Sequence, residues 1–257
     1  MIDNSKSQEY WESAAKKQKE LNRSFTHNDP YMPMLETNAI ITKISAGDSV
    51  LEIGCGACDN SLGYMKKATK YIGVEKIETF VELSREKIKE NNISNSSILM
   101  DDGYEYVKDT EFRADKLLTQ RFLINLRNRE LQLDFFKWVK KNSLNRNLKL
   151  IVCEGFYEEM HNLNMLRKLI GLNAIQVSDY NNFLDSNFIS DVVDVGYEVE
   201  DCIIFNDYYF ITRIFNTDLF ESNVDIQKLG YEIENSNLMK IKGDISYTKI
   251  YFMRFSK

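Results

Sequence analysis

Asp48-Ser-Val-Leu-Glu-Ile-Gly-Cys-Gly-Ala-Cys58 decides how this 257-residue chain folds. The apolar run 50–53, interrupted by one acid, Glu52, predicts a buried strand. Gly54-Cys55-Gly56 predicts the tight turn that ends it, because glycine lets the backbone bend sharply and approach a ligand. Residues 59–69 then open as a helix. A second apolar run, Lys70-Tyr-Ile-Gly-Val-Glu75, also ends in a carboxylate. Glu75 follows Glu52 by 23 residues, close to the offset of about 20 at which an acid meets a ribose in nucleotide-binding α/β folds. A glycine turn with such an acid predicts a cofactor that contains a nucleoside.

The residues after the turn narrow that cofactor. A dinucleotide fingerprint wants a third glycine where Asp59 stands, and an acid there would repel a pyrophosphate at a helix N-terminus. It suits a cationic or zwitterionic ligand. The stretch Val-Leu-Glu-Ile-Gly-Cys-Gly resembles the first motif of class I S-adenosylmethionine-dependent methyltransferases, Asp/Glu-x-Gly-x-Gly-x-Gly. It matches at Glu52, Gly54 and Gly56 and departs at the last glycine, which is Cys58. The resemblance implies S-adenosyl-L-methionine as cofactor, held by Glu52, Gly54, Cys55 and Gly56. It also implies that Glu75 and Lys76 lie at the ribose, and that Asp102 with Gly103, or Asp101, lies at the adenine. Thr119 after the fourth strand completes this set, and Tyr31, beside Pro30 in a polar segment ahead of the motif, is expected in a loop closing over the cofactor.

Composition sets outer bounds. A chain of this length with 43% hydrophobic residues makes one large domain, or one domain with a small cap. No run approaches the roughly 20 apolar residues of a membrane span, and the polar N-terminus reads as no signal peptide. A net charge of −6 argues against a broad nucleic-acid footprint. Cys55, Cys58, Cys153 and Cys202 read as reduced thiols of a cytoplasmic protein. Cys55-x-x-Cys58 has no second cysteine pair at metal spacing, so no metal is expected. A homodimer is left open.

Hydrophobic periodicity predicts helices over 7–22, 34–44, 77–90, 127–142, 158–171 and 181–195, and strands over 49–53, 71–75, 97–101, 116–119, 148–154, 207–215 and 249–255. Trp11 and Leu21 anchor the first helix. Alternation of strands and helices implies an α/β fold, a Rossmann-like parallel sheet with helices on both faces. The resemblance implies seven strands with the last one antiparallel. Residues 1–45 are expected as a helical lid, and residues 46–257 as the core, with a cap inserted at about 155–206.

Candidate chemistry gathers where the strands end. Arg121 and Asn125, spaced i and i+4, would share a helix face. Thr119-Gln-Arg-Phe-Leu-Ile-Asn-Leu126, Asp29-Pro-Tyr-Met32 with Glu36, Leu163-Asn-Met-Leu-Arg167 and Tyr208-Tyr-Phe-Ile-Thr-Arg213 resemble a bacterial subgroup associated with surface-polysaccharide biosynthesis. The resemblance implies transfer to an oxygen of a small molecule, a sugar or nucleotide-sugar precursor. The subgroup's histidine falls on Tyr180 here. A sugar hydroxyl needs a base, for which His161, Glu154 and Glu158 are the candidates. A phosphate or phosphoramidate oxygen needs cations instead, and Arg121, Arg167 and Arg213 are candidates for that role. His161 and Arg121 are therefore the expected catalytic residues, and Arg121, Asn125, Glu154, Asn164, Arg167 and Arg213 the expected acceptor contacts. A non-catalytic cofactor-binding module remains the alternative from another class.

Overall fold

A computed structural model describes residues 4–21, 29–215, 225–236 and 239–256. In chain order the elements are α1 (Asn4–Leu21), α2 (Met32–Thr42), β1 (Ser49–Ile53), α3 (Leu62–Lys67), β2 (Lys70–Glu75), α4 (Glu78–Glu90), β3 (Ser96–Met100), α5 (Gly103–Asp109), β4 (Lys116–Gln120), α6 (Arg129–Asn142), β5 (Lys149–Gly155), α7 (Tyr157–Leu169), α8 (Phe188–Gly196), β6 (Tyr197–Ile204), α9 (Asn206–Arg213), α10 (Ile226–Ser236) and β7 (Thr248–Phe255). The seven strands form one sheet in the order β3-β2-β1-β4-β5-β7-β6. β1 to β5 pair in parallel, and β7 runs antiparallel to β5 and to β6.

The central strands are apolar throughout because both faces of the sheet are covered. Along β5, Leu150 and Val152 pack into one core, and Ile151 and Cys153 into the other. β4 divides the same way, with Leu117 on one face and Leu118 on the opposite face. This is the two-residue period of a strand. The order reverses between β1 and β4, so a crevice opens beyond their carboxyl ends. Among the described residues, no helix is long and apolar enough to cross a membrane.

The C-terminal third departs from the periodicity. Residues 207–215, expected as a strand, form α9, and the missing strand is β6. Aromatic and β-branched residues favour strands only weakly, and tertiary packing overrides them. Here Tyr208 and Tyr209 are buried, the Tyr208 amide donates to the Glu234 carboxylate of α10 at 2.7 Å, and the Ile241 amide donates to Asp207 at 2.8 Å. β6 escapes a simple strand pattern because it is an edge strand with Glu198, Glu200 and Asp201 on it, and its register shifts between Val199 and Asp201. The helix expected over 181–195 is confined to α8. Because β6 belongs to the sheet, the part of the 155–206 segment lying outside the sheet ends at α8.

Glu52, the acid of β1, is buried beneath the carboxyl edge. It accepts hydrogen bonds from Ser61 at 2.8 Å, from Tyr64 at 2.9 Å and from Tyr71. Burial outweighs these donors and pushes its carboxyl up to about 7 from the ordinary 4.5. The folded state thus holds a proton that the unfolded chain releases near pH 4.5. The stabilisation it brings is full below that pH, falls as pH rises towards 7, and is absent above. Glu52→Gln should therefore lose less stability between about pH 5 and about pH 8 than the wild type, by on the order of 2 kcal/mol. Urea titrations at the two pH values check this. Phe136, fully buried, meets Phe135, Phe188 and Tyr197 edge-on at 5.4–5.8 Å and so joins α6, α8 and β6. Phe136→Ala should cost about 3–5 kcal/mol in the same assay.

Candidate active site

The turn after β1 enters the left-handed region, with φ of +72° at Gly54 and +55° at Gly56. A Cβ on Gly54 would lie 2.8 Å from the Phe122 ring, whereas one on Gly56 would point into open space. Gly56 is the point of close backbone approach. Cys58, in the place of the motif's last glycine, keeps the same conformation at φ +56° and is fully buried. The loop therefore retains its shape despite the substitution.

Carboxylates hold the loops over this edge. Glu75 accepts the amides of Gly56 at 2.9 Å and Ile77 at 2.8 Å. Burial raises its pKa while those amides lower it. Asp102 caps α5 by accepting the Tyr104 amide at 2.9 Å, and its other oxygen faces Lys76 at 3.6 Å. Asp59 is countered by the Lys87 ammonium and receives the Gln18 amide of α1 at 2.8 Å. The acid that argued against a pyrophosphate is thus already paired.

These groups line a first cavity. Of the expected cofactor residues, Glu52, Gly54, Cys55, Gly56, Glu75, Lys76, Asp102 and Gly103 all face it. Asp101, Thr119 and Tyr31 do not. Asp101 turns outwards and accepts its neighbour's amide at 2.8 Å. Thr119 is buried in the sheet, and the next residue, Gln120, faces the cavity instead. Asp29 accepts the amides of Tyr31 and Met32, which starts α2 and sends the Tyr31 ring towards Tyr231 of α10, 5.4 Å between centroids. The aromatic over the cavity is Trp11 of α1, whose indole donates to Asn125 at 3.1 Å. α1 is seated there by Ala14 and Ala15 against Ala57, Ile77 and Phe80. The expected lid also includes residues 22–28, which lie outside the described residues.

A second cavity adjoins the first and shares Trp11, Arg121 and Asn125 with it. Its walls carry the rings of Tyr10, Trp11, Tyr180, Phe183 and Tyr247, with Gln176, Ser178 and Asn181 between them. Arg121 leaves β4 at φ +56°, and its guanidinium binds the fully buried Glu36, which also receives Gln120 at 2.7 Å. Burial opposes the guanidinium's charge, but Glu36 prevails and raises its pKa.

The other expected acceptor contacts are engaged elsewhere. Glu154 is fully buried and accepts the amides of Phe122, Leu123 and Ile124 at 3.0–3.3 Å, fixing the turn after β4. Burial lifts it to about 7. Arg213 pairs with Asp29 at 2.7 Å, and Asp29 also receives Tyr208 at 2.6 Å. Arg167 donates to the carbonyls of Asn173, at 2.8 Å, and Arg213. Asn164 brackets Ile175 with two bonds of 2.8 and 2.9 Å, holding a loop that walls the second cavity. His161 is exposed on α7 and lines neither cavity. Only Arg121 and Asn125 of the expected acceptor set face one. Among the described residues, no cluster of three His, Cys, Asp or Glu side chains is placed to hold a metal ion.

Comparison with known proteins agrees with this geometry. The model of the protein-L-isoaspartate(D-aspartate) O-methyltransferase family matches residues 4–111, less than half of the chain. No curated protein matches it in sequence. Among solved structures, the CcbJ methyltransferase from Streptomyces caelestis superposes with a TM-score of 0.58 at 11% identity, covering 88% of this chain and 90% of that one. Magnesium protoporphyrin IX methyltransferase from Synechocystis PCC 6803, solved with bound SAH, gives 0.56 at 12% identity, covering 86% and 83%. The [4+2]-cyclase SpnF gives 0.56 at 13%, covering 87% and 81%. The sheet order, the glycine turn between two acid-bearing strands and these superpositions identify the fold as that of the class I S-adenosylmethionine-dependent methyltransferases.

Proposed function

We propose that the chain is an S-adenosylmethionine-dependent methyltransferase, with the cofactor in the first cavity and a small-molecule acceptor in the second. The observation that carries this reading is the meeting of the two cavities at Trp11, Arg121 and Asn125, which gives a donor and an acceptor a common wall. The first cavity fits the cofactor's chemistry. Glu75 faces it with a carboxylate suited to ribose hydroxyls, Gly56 leaves open space beside the backbone, and Ile77, Phe80 and Phe122 offer apolar surface to a base. When bound, the cofactor supplies an electrophilic methyl group. The chain's task is to align an oxygen with it and exclude water. Trp11 covers the junction, and Asn125 is held by the indole and by its own bond to the Arg121 carbonyl at 2.5 Å.

The acceptor proposed is a sugar or nucleotide-sugar precursor of a surface polysaccharide, methylated on oxygen. Its support is the resemblance of the segments around Arg121, Asn164 and Arg213, together with five aromatic rings suited to the flat faces of a ring-shaped ligand. The cyclase relative shares this fold, so turnover and binding need separate measurement.

Calorimetry with S-adenosylmethionine and S-adenosylhomocysteine tests the cofactor. Glu75→Ala should weaken both about tenfold to hundredfold, the loss of a charge-assisted bond to a ribose hydroxyl. No binding by the wild type would overturn the proposal. Amide exchange over residues 8–21 should slow when the cofactor is present, since α1 covers its cavity. Unchanged exchange would remove α1 from the role of lid.

A further inference from the structure

Methyl transfer to a neutral hydroxyl releases a proton, and a side chain near the acceptor must take it. Among the described residues, no aspartate, glutamate or histidine lines the second cavity. Two buried carboxylates next to its lining residues, Glu154 and Glu36, are committed elsewhere. Glu154 has both oxygens on backbone amides, and Glu36 has both on Gln120 and Arg121. Neither has any exposed surface. His161 lies on the outer face of α7. Tyr180, where the resembled subgroup carries a histidine, stacks on Tyr10 with centroids 4.1 Å apart and planes 23° apart. Burial pushes its phenol up to about 12, out of range for a base at neutral pH.

The charge built into the common wall is a closed ion pair. Arg121 faces both cavities, anchored from behind by Glu36. The pair is neutral as a unit, so a bound sulfonium leaves the junction with one positive charge. An anionic oxygen balances it.

We infer that the second cavity takes an acceptor whose oxygen arrives already ionised, as the carboxylate or phosphate of a ring-bearing molecule. A lone pair of the anionic oxygen forms the new O–C bond, and the electrons of the broken C–S bond pass to sulfur. Sulfonium and anion become a neutral thioether and a methyl ester, with no proton released. This inference rests on the methyltransferase reading, and the experiment separates the two.

Glucuronate, glucose 6-phosphate and glucose, at matched ionic strength, share one ring and differ in charge. In S-adenosylhomocysteine-loaded Trp138→Phe protein the remaining tryptophan, Trp11, reports on the second cavity. At least one of the two anions should shift its emission at a concentration about tenfold or more below that needed with glucose. Equal midpoints, or no shift with any probe, overturn the inference. Failure of S-adenosylhomocysteine to bind overturns the methyltransferase reading itself. With cofactor labelled in its methyl group, label should enter an anionic probe at a rate that is level between about pH 6 and 9. Alkali then releases labelled methanol from a carboxylate ester and leaves the methyl phosphodiester of a sugar phosphate intact, which tells the two sources apart. Faster labelling of glucose, with one ionisation near neutrality, would show a base at work and overturn the inference.

Discussion

The loops that make this site are held by carboxylates accepting backbone amides at the carboxyl edge of the sheet. Parallel strands end there in turns whose N–H groups have no strand partner. Glu75 takes those of Gly56 and Ile77, Asp102 takes that of Tyr104, and Glu154 takes three in the turn after β4. Each acid stands at or just beyond a strand's end, and each fixes a loop that walls a cavity. Had these amides been left unpaired, each would have cost the desolvation of a buried donor. Because they are paired, the glycine turn can keep its left-handed dihedrals and still present open space at Gly56.

The same rule explains what could be read from the chain alone. The run around Val50 was legible because a strand buried on both faces has to be apolar, and the glycines after it have few other uses. Glu75 was legible because its distance from the turn follows from one strand-helix-strand unit. Trp11 was recognised as an anchor of its helix, but its partner, Asn125, lies 114 residues away, and no local pattern records such a pairing. Arg167, Arg213, Asn164 and Glu154 show the converse difficulty. An arginine that binds a ligand and one that binds Asp29 or a carbonyl use identical donors, so only the fold decides which it is. The reading of residues 207–215 as a strand failed for a similar reason, since the contacts that make α9 a helix come from α10 and the segment after it.

Cys58 shows how a motif can lose a residue and keep its geometry. A non-glycine side chain at positive φ costs on the order of 1 kcal/mol. Here the thiol is fully buried, with its sulfur 3.7 Å from the Tyr71 hydroxyl that also binds Glu52. Packing offsets the strain. Cys58 thus lies beneath the loop and takes no part in the surface of the cavity.

One helix, α1, touches both cavities, through Tyr10 on one side and Trp11 on both. Whatever ordering of that helix the first ligand brings about is ordering the second need not supply. With a cofactor and an acceptor bound as proposed, the two would be thermodynamically linked, and the factor by which either raised the affinity of the other would be the same in both directions. Such reciprocity would favour the ternary complex over either binary one, so a cofactor bound without an acceptor would be the less protected state and the one from which it escapes more readily.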